Sequence, residues 1–153
     1  MGLAFLALKR FDQAARCHQD ALQVAMSLNS VHGQSIAVGN LGLVAKAQGD
    51  TATARACFEQ HLNLVQKLND ASAEIVAYDH LGILANSQGE FNQAGRFFEE
   101  ARELAQQTGE KGMVKLEGCR IGLAKGNMLL EQHMRDVLER AVANGGGSGP
   151  SRE

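Results

Sequence analysis

A cysteine and a histidine are adjacent at Cys17-His18, and a thiol beside an imidazole is the combination that activates a cysteine nucleophile. Neighbouring positions on a helix do not face each other, so this pair is poorly placed for catalysis. We therefore interpret Cys17 as a buried structural cysteine. Cys119 is the better candidate for a reactive thiol, because Arg120 follows it and a nearby cation favours the thiolate.

Asp79-His80 supplies a carboxylate and an imidazole, two ligand types that bind transition metals. No second pair of ligands follows at helical spacing, and His61 belongs to a different predicted helix. We interpret His80 as a solvated or surface-lining residue and predict no metal site.

Acidic residues cluster at Glu99-Glu100 and Glu103, and paired carboxylates can act as general acid and base. Arg96 and Arg102 lie close by, so the cluster is typical of a solvated helix face with i,i+3 and i,i+4 ion pairs. The sequence contains neither a phosphate-binding glycine loop nor a nucleophile elbow. We predict no catalytic residue, no cofactor and no enzymatic activity.

The composition favours a helical domain that binds neither nucleic acid nor membrane. Of 153 residues, 44% are hydrophobic and 21% charged, and the single proline is Pro150, so a proline interrupts no earlier helix. The net charge is −2 without a basic stripe, which argues against phosphate binding. The apolar stretch from Met1 to Leu8 is too short to span a bilayer. Three scattered cysteines indicate a reducing, cytoplasmic compartment.

A repeat of 40 residues organises the chain. Glycine recurs at this interval at Gly2, Gly42, Gly82 and Gly122. The positions twelve and sixteen residues after each glycine are occupied by Ala14 and His18, Ala54 and Phe58, Ala94 and Phe98, and Met134 and Leu138. Such a period predicts stacked supersecondary units, none of which can bury its apolar face alone.

Each unit is predicted to be a pair of helices, helix A and helix B. In the third unit apolar residues recur at helical spacing, Gly89 stops helix A, and Thr108-Gly109-Glu110 closes the hairpin. Leu28-Asn29-Ser30 and Leu68-Asn69-Asp70 occupy the equivalent place in the earlier units. Glycine inside helix A costs about 1 kcal/mol against alanine, which a close approach of helix B would justify.

The series Leu81-Gly82, Ala94, Phe98 and Ala101 resembles the signature of the tetratricopeptide repeat family. The resemblance covers about residues 1–142, with a unit of 40 residues rather than about 34. The longer unit resembles the repeats of spindle-orientation adaptors, bacterial signalling regulators and some ciliary axoneme proteins.

This resemblance implies an all-α fold, an α-solenoid of about three and a half stacked antiparallel hairpins. We expect the solenoid to span residues 1–143, in units of about 1–29, 30–69, 70–109 and 110–143. Residues 144–153 are rich in glycine and serine and are predicted to be a disordered tail. Met134 replaces the small residue of the last helix B. The first unit lacks most of helix A, so we expect a fragment or an incomplete gene model of a longer array.

In this family the A helices line a concave groove that holds peptides or partner segments. The resemblance therefore implies a set of groove residues, one stripe per unit. They are Ile36, Gly39, Asn40, Leu43 and Lys46, then Val76, Asp79, His80, Ile83 and Asn86, and finally Leu116, Cys119, Arg120, Leu123 and Asn127.

The apolar row Leu3, Leu43, Ile83 and Leu123 stands where members that clamp a terminal carboxylate carry asparagine. The carboxylate clamp is thus absent, and an amphipathic helix or extended apolar segment of another protein is the expected ligand. An equally good interpretation is that these residues pack against adjacent helices. We predict a protein-binding scaffold or adaptor. The alternative is a structural subunit of a larger assembly that contacts its partners through its ends and convex face. This alternative is compatible with a cytoskeletal or ciliary location.

Overall fold

The computed structural model describes residues 2–145, and the side chains of residues 2–143. This part of the chain forms seven helices without a strand: α1 Gly2–Ala7, α2 Phe11–Ser27, α3 Val31–Gln48, α4 Thr51–Leu68, α5 Ala71–Ser87, α6 Phe91–Thr108 and α7 Lys111–Gly145. Consecutive helices pack on each other, so the predicted all-α solenoid is confirmed. None of the helices in the described residues is long and apolar enough to cross a membrane.

The turns fall at a regular interval of 20 residues. Left-handed backbone occurs at Lys9, Asn29, Gly49, Asn69, Gly89 and Gly109. Glycine and asparagine adopt this conformation most readily, which is why they end helices. After three of these turns the next residue, Ser30, Asp50 or Asp70, caps the following helix, as when the Asp70 carboxylate accepts a hydrogen bond of 3.0 Å from the Ala73 amide. The helix stops predicted at Gly89 and Gly109 are confirmed.

The close approach predicted at the repeated glycines is also confirmed for three units. A Cβ atom on Gly42 would lie 2.6 Å from Cε1 of Phe58. Phe98 would meet a Cβ atom on Gly82 in the same way, and the His18 ring would meet one on Gly2. Helix B can therefore lie against helix A only because helix A carries no side chain at this position.

Each aromatic ring also joins one unit to the next. Phe58 packs with Ala45 and Ala54 of its own unit and with Leu81 and Leu84 of the following one. Phe98 makes the corresponding cluster with Ala85, Ala94, Ile121 and Ala124. The core is therefore a row of small clusters between neighbouring hairpins, as expected of a solenoid.

The fourth unit departs from the prediction. Met134 was expected on a separate helix B, but α7 runs without a break from Lys111 to Gly145, so that expectation is wrong. The physical reason is the residue at the position of the turn. Gly49 and Gly89 occupy this position in the second and third units, whereas the fourth unit has Leu129, a residue that avoids left-handed backbone. The capping position then holds Leu130, which has no side-chain acceptor.

The predicted tail, residues 144–153, overlaps the end of α7 at Gly145. Residues 146–153 lie outside the described part of the chain.

Candidate protein-binding face

The predicted groove residues lie on α3, α5 and the first half of α7, the helices A of their units. We call the surface that carries them the α3–α5–α7 face. At one register of this face each of the three units exposes a large apolar side chain: Ile36 at 49%, Val76 at 44% and Leu116 at 42%. Because they recur at 40-residue intervals, they form an exposed apolar row across the three units.

The second apolar row is only partly available to a ligand. Leu43 and Ile83 are half-buried, because each packs against a core cluster shared with the next unit. Leu123 is 59% exposed. Leu43 and Ile83 are therefore packing residues with part of their surface, and the rest of each side chain remains accessible.

One predicted groove residue does not belong to the surface. Gly39 is buried, and a Cβ atom placed on it would lie 3.3 Å from the His61 ring. The prediction for Gly39 is wrong because the small residue makes room for His61, which is itself buried.

The polar residues between the two rows, Asn40, His80 and Arg120, are half-buried. The His80 ring lies 4.9 Å from the Phe58 ring of the preceding unit, measured between centroids. The guanidinium carbon of Arg120 lies 6.0 Å from the centroid of the Phe98 ring, which also belongs to the preceding unit. Each thus contacts the aromatic ring that joins its unit to the one before. For Arg120 the contact places a cation near a ring face, which is favourable.

An ion cluster around Arg120 links α7 to α5. Arg120 pairs with Asp79 of α5, and its Nη1 atom lies 2.7 Å from Oε1 of Glu117. Lys46 of α3 is close enough for its charge to act on Asp79 and His80. On the same face Asn127 donates a hydrogen bond of 3.2 Å to Asn86. These contacts hold the polar side chains of α5 and α7 in fixed positions.

Burial dominates the electrostatics of this cluster. It raises the pKa of Asp79, against the opposing charge of Arg120 and Lys46. It lowers the pKa of His80 to about 4, assisted by the positive charges of Lys46, His61 and Arg120. It also lowers the pKa of Lys46. His80 is consequently neutral at pH 7 and cannot act there as a cationic anchor.

Glu117 is the site residue that the sequence reasoning missed. Its side chain is fully buried, and burial followed by the charge of Asp79 raises its pKa. A signal was present in the repeat register, since the positions 40 and 80 residues earlier are the buried residues Ala77 and Ala37. A carboxyl group at this register needs a cation, and Arg120 supplies it one helical turn later.

Two of the three cysteines, Cys17 and Cys57, are partly packed, and the third is exposed. The Cys57 thiol is half-buried, and its pKa is raised by burial, the reverse of what activates a nucleophile. Cys17 is half-buried, His18 lies against Gly2, and Cys119 is exposed. The described residues contain no group of three or more side chains that could hold a metal ion.

Comparison with known proteins identifies the family. A family model described as "Tetratricopeptide repeat" matches residues 1–67 and again 33–107, more than half of the chain. No curated protein matches. The crystal structure of BtubC (BKLC) from P. vanneervenii superimposes with a TM-score of 0.74 at 19% identity. The match covers 99% of this chain and 64% of that one, and at this identity it shows the fold alone. The chain belongs to the tetratricopeptide repeat family.

Proposed function

We propose that this chain is an interaction scaffold that binds a segment of another protein on the α3–α5–α7 face, without turnover. Tetratricopeptide repeats generally mediate contacts between proteins, and the A helices of the family line the concave side of the solenoid. The expected ligand is an amphipathic helix or an extended peptide with spaced apolar side chains.

The observation that carries the proposal is the exposed row Ile36, Val76 and Leu116. The solenoid does not bury these side chains, and yet each unit has a large aliphatic residue at this register. Covering them would contribute about 1 kcal/mol each, since each is already half-covered. A ligand crossing the three helices would touch all of them at once.

The polar row beside these residues would set the specificity. Arg120 is already paired to Asp79 and Glu117, so it would offer a preorganised donor rather than a free charge. Asn40 and neutral His80 complete a row without excess charge of either sign. We therefore expect a ligand whose polar groups are uncharged, and binding that changes little with salt concentration.

The test uses peptides of about 16 residues, selected from a displayed random library against the immobilised chain. Their affinity is measured by fluorescence anisotropy for the chain and for the double variant Ile36→Asp/Val76→Asp. We expect affinity to fall by tenfold or more, because two charges would replace apolar contacts. Leu43 and Ile83 are left intact, because changing them would disturb the core.

The matched control is Val24→Asp, which places the same kind of charge on an exposed valine of α2. It should leave the affinity unchanged. Equal weakening by both variants, or by neither, would remove the support for binding on this face. The circular dichroism spectrum of each variant establishes that the fold is retained.

A second candidate function is a structural subunit that makes its contacts at the end of the solenoid. It is favoured by the apolar residues exposed on the second half of α7, among them Leu130, Met134 and Leu138. Association that survives Ile36→Asp/Val76→Asp would support this function.

A further inference from the structure

The second half of α7 presents an apolar surface that the described part of the chain does not cover. Its exposed large residues are Leu129, Leu130, Met134, Val137, Leu138 and Val142. Met134 and Leu138, which are 55% and 61% exposed, lie one helical turn apart. The register of the repeat assigns them to the core-facing side of a helix B, where Ala94 and Phe98 are buried in the third unit.

The complete hairpins show what this surface is shaped to meet. In each hairpin the glycine of helix A receives the side chain sixteen residues later, as Gly82 receives Phe98. In the fourth unit the corresponding pair is Gly122 and Leu138. Both lie on one straight helix, so they are about 24 Å apart and cannot touch within the chain.

The glycine side of this pair is open. A Cβ atom placed on Gly118, Gly122 or Gly126 would have no neighbour within 4 Å. The first half of α7 therefore has the slot for a helix B, and the second half has the side chains that fill such a slot.

We propose that two copies of this chain associate through their α7 helices, which pack antiparallel so that each second half serves as helix B for the other copy. The hairpin register sets the pairing. Leu138 of each copy meets Gly122 of the other, Met134 meets Gly126, Val142 meets Gly118, and Leu130 lies at the twofold axis. Each copy supplies the same slot and the same side chains, as a closed symmetric interface requires.

The absence of a turn explains why the contact forms between chains. Folding back within one chain would need left-handed backbone near Leu129 and a capping group at Leu130, and neither residue provides it. The continuous helix keeps the two halves of the interface apart, as in exchange of an element between copies. This inference concerns the end of the solenoid and is independent of the function proposed for the α3–α5–α7 face.

The test is a disulfide between Gly122→Cys and Val137→Cys, in the full chain with Cys17, Cys57 and Cys119 changed to alanine. The equivalent pair in the second unit is close enough, since a Cβ on Gly42 would lie 3.2 Å from Cβ of Cys57. After mild oxidation we expect a covalent dimer of about twice 16.4 kDa on a non-reducing gel. Mass spectrometry of mixed ¹⁴N- and ¹⁵N-labelled chains should show the 122–137 disulfide joining different chains.

Two other outcomes would overturn the proposal. A disulfide within one chain would show that α7 folds back into a fourth hairpin. Absence of this disulfide, with both thiols reactive towards a maleimide, would show that the two halves of the interface do not meet at all.

Variants define the part played by the missing turn and by the apolar surface. Leu129→Gly/Leu130→Asp supplies the two turn signals, so we expect it to form the intrachain disulfide and to be monomeric in light scattering. A dimer formed equally well by this variant would contradict exchange through a continuous helix. Leu138→Asp should weaken dimerisation at least tenfold. Val24→Asp, which changes an exposed side chain of α2, should not weaken it. Equal association of both would contradict the assigned interface.

Discussion

Two polar residues of this solenoid, Glu117 and His80, are held at buried or half-buried positions. Glu117 occupies the register of Ala37 and Ala77, and it is compensated by Arg120. His80 covers Phe58 and stays neutral. Arg120 joins α7 to α5 through Asp79, and His80 joins α5 to α4 through Phe58. At the register of Glu117 the other units have alanines, which only fill space.

The neutrality of His80 predicts a pH dependence of stability. Its pKa is about 4 in the folded chain against 6.5 without the fold, so only the unfolded chain gains a proton as the pH falls below 6.5. The free energy of unfolding should therefore fall on acidification, by about 2 kcal/mol from this residue by pH 5. His80→Asn, which installs the residue found at position 40, should remove that loss.

Urea titrations at pH 7.5 and 5.0 measure this effect as the difference between the chain and His80→Asn. The control His133→Asn changes an exposed histidine of α7 and should leave the pH dependence intact. An unchanged pH dependence in His80→Asn would show that His80 accepts a proton freely in the folded chain. Asp79 and Glu117, whose pKa values are raised, act in the opposite direction and are present in all three proteins.

Most turns between the helices can be recognised in the sequence by a glycine or asparagine at the left-handed position. The turn at Gly89 and the end of α6 at Gly109 could be predicted because glycine tolerates left-handed backbone. Lys9 adopts the same conformation without any signal, since the packing of α1 on α2 imposes it. The sequence did not predict the continuity of α7, because the repeat register indicates a turn near residue 129. Leu129 does not favour left-handed backbone, and Leu130 has no side-chain acceptor to cap a helix.

Packing of one helix on the next predicts opposite effects for two glycine substitutions. A Cβ on Gly82 would lie 2.7 Å from Cδ1 of the buried Phe98, so Gly82→Ala should lower the free energy of unfolding by about 1–2 kcal/mol. Gly95 of α6 has open space around it, so Gly95→Ala should raise stability by up to about 1 kcal/mol through helix propensity. Urea denaturation followed by circular dichroism measures both, and equal effects would contradict the close contact of α5 and α6.

At the scale of the whole molecule, the solenoid could be predicted from the 40-residue period, and the family from the series Leu81-Gly82, Ala94, Phe98 and Ala101. The exposed residues of the α3–α5–α7 face could be predicted only in outline, because apolar residues of one type have different exposures. Ile36 and Val76 project from the stack, whereas Leu43 and Ile83 are partly covered by the following unit. That distinction depends on how neighbouring units pack, which the register of a single helix does not contain.

The claim that the α3–α5–α7 face binds a protein segment is tested most directly by methyl NMR. Isoleucine, leucine and valine methyl groups are labelled, and a peptide selected against the chain is titrated in. We expect the methyl signals of Ile36, Val76 and Leu116 to shift, and those of Val24 and Leu28, which are exposed at the C-terminal end of α2, to stay in place. Shifts confined to Val24 and Leu28 would contradict the account.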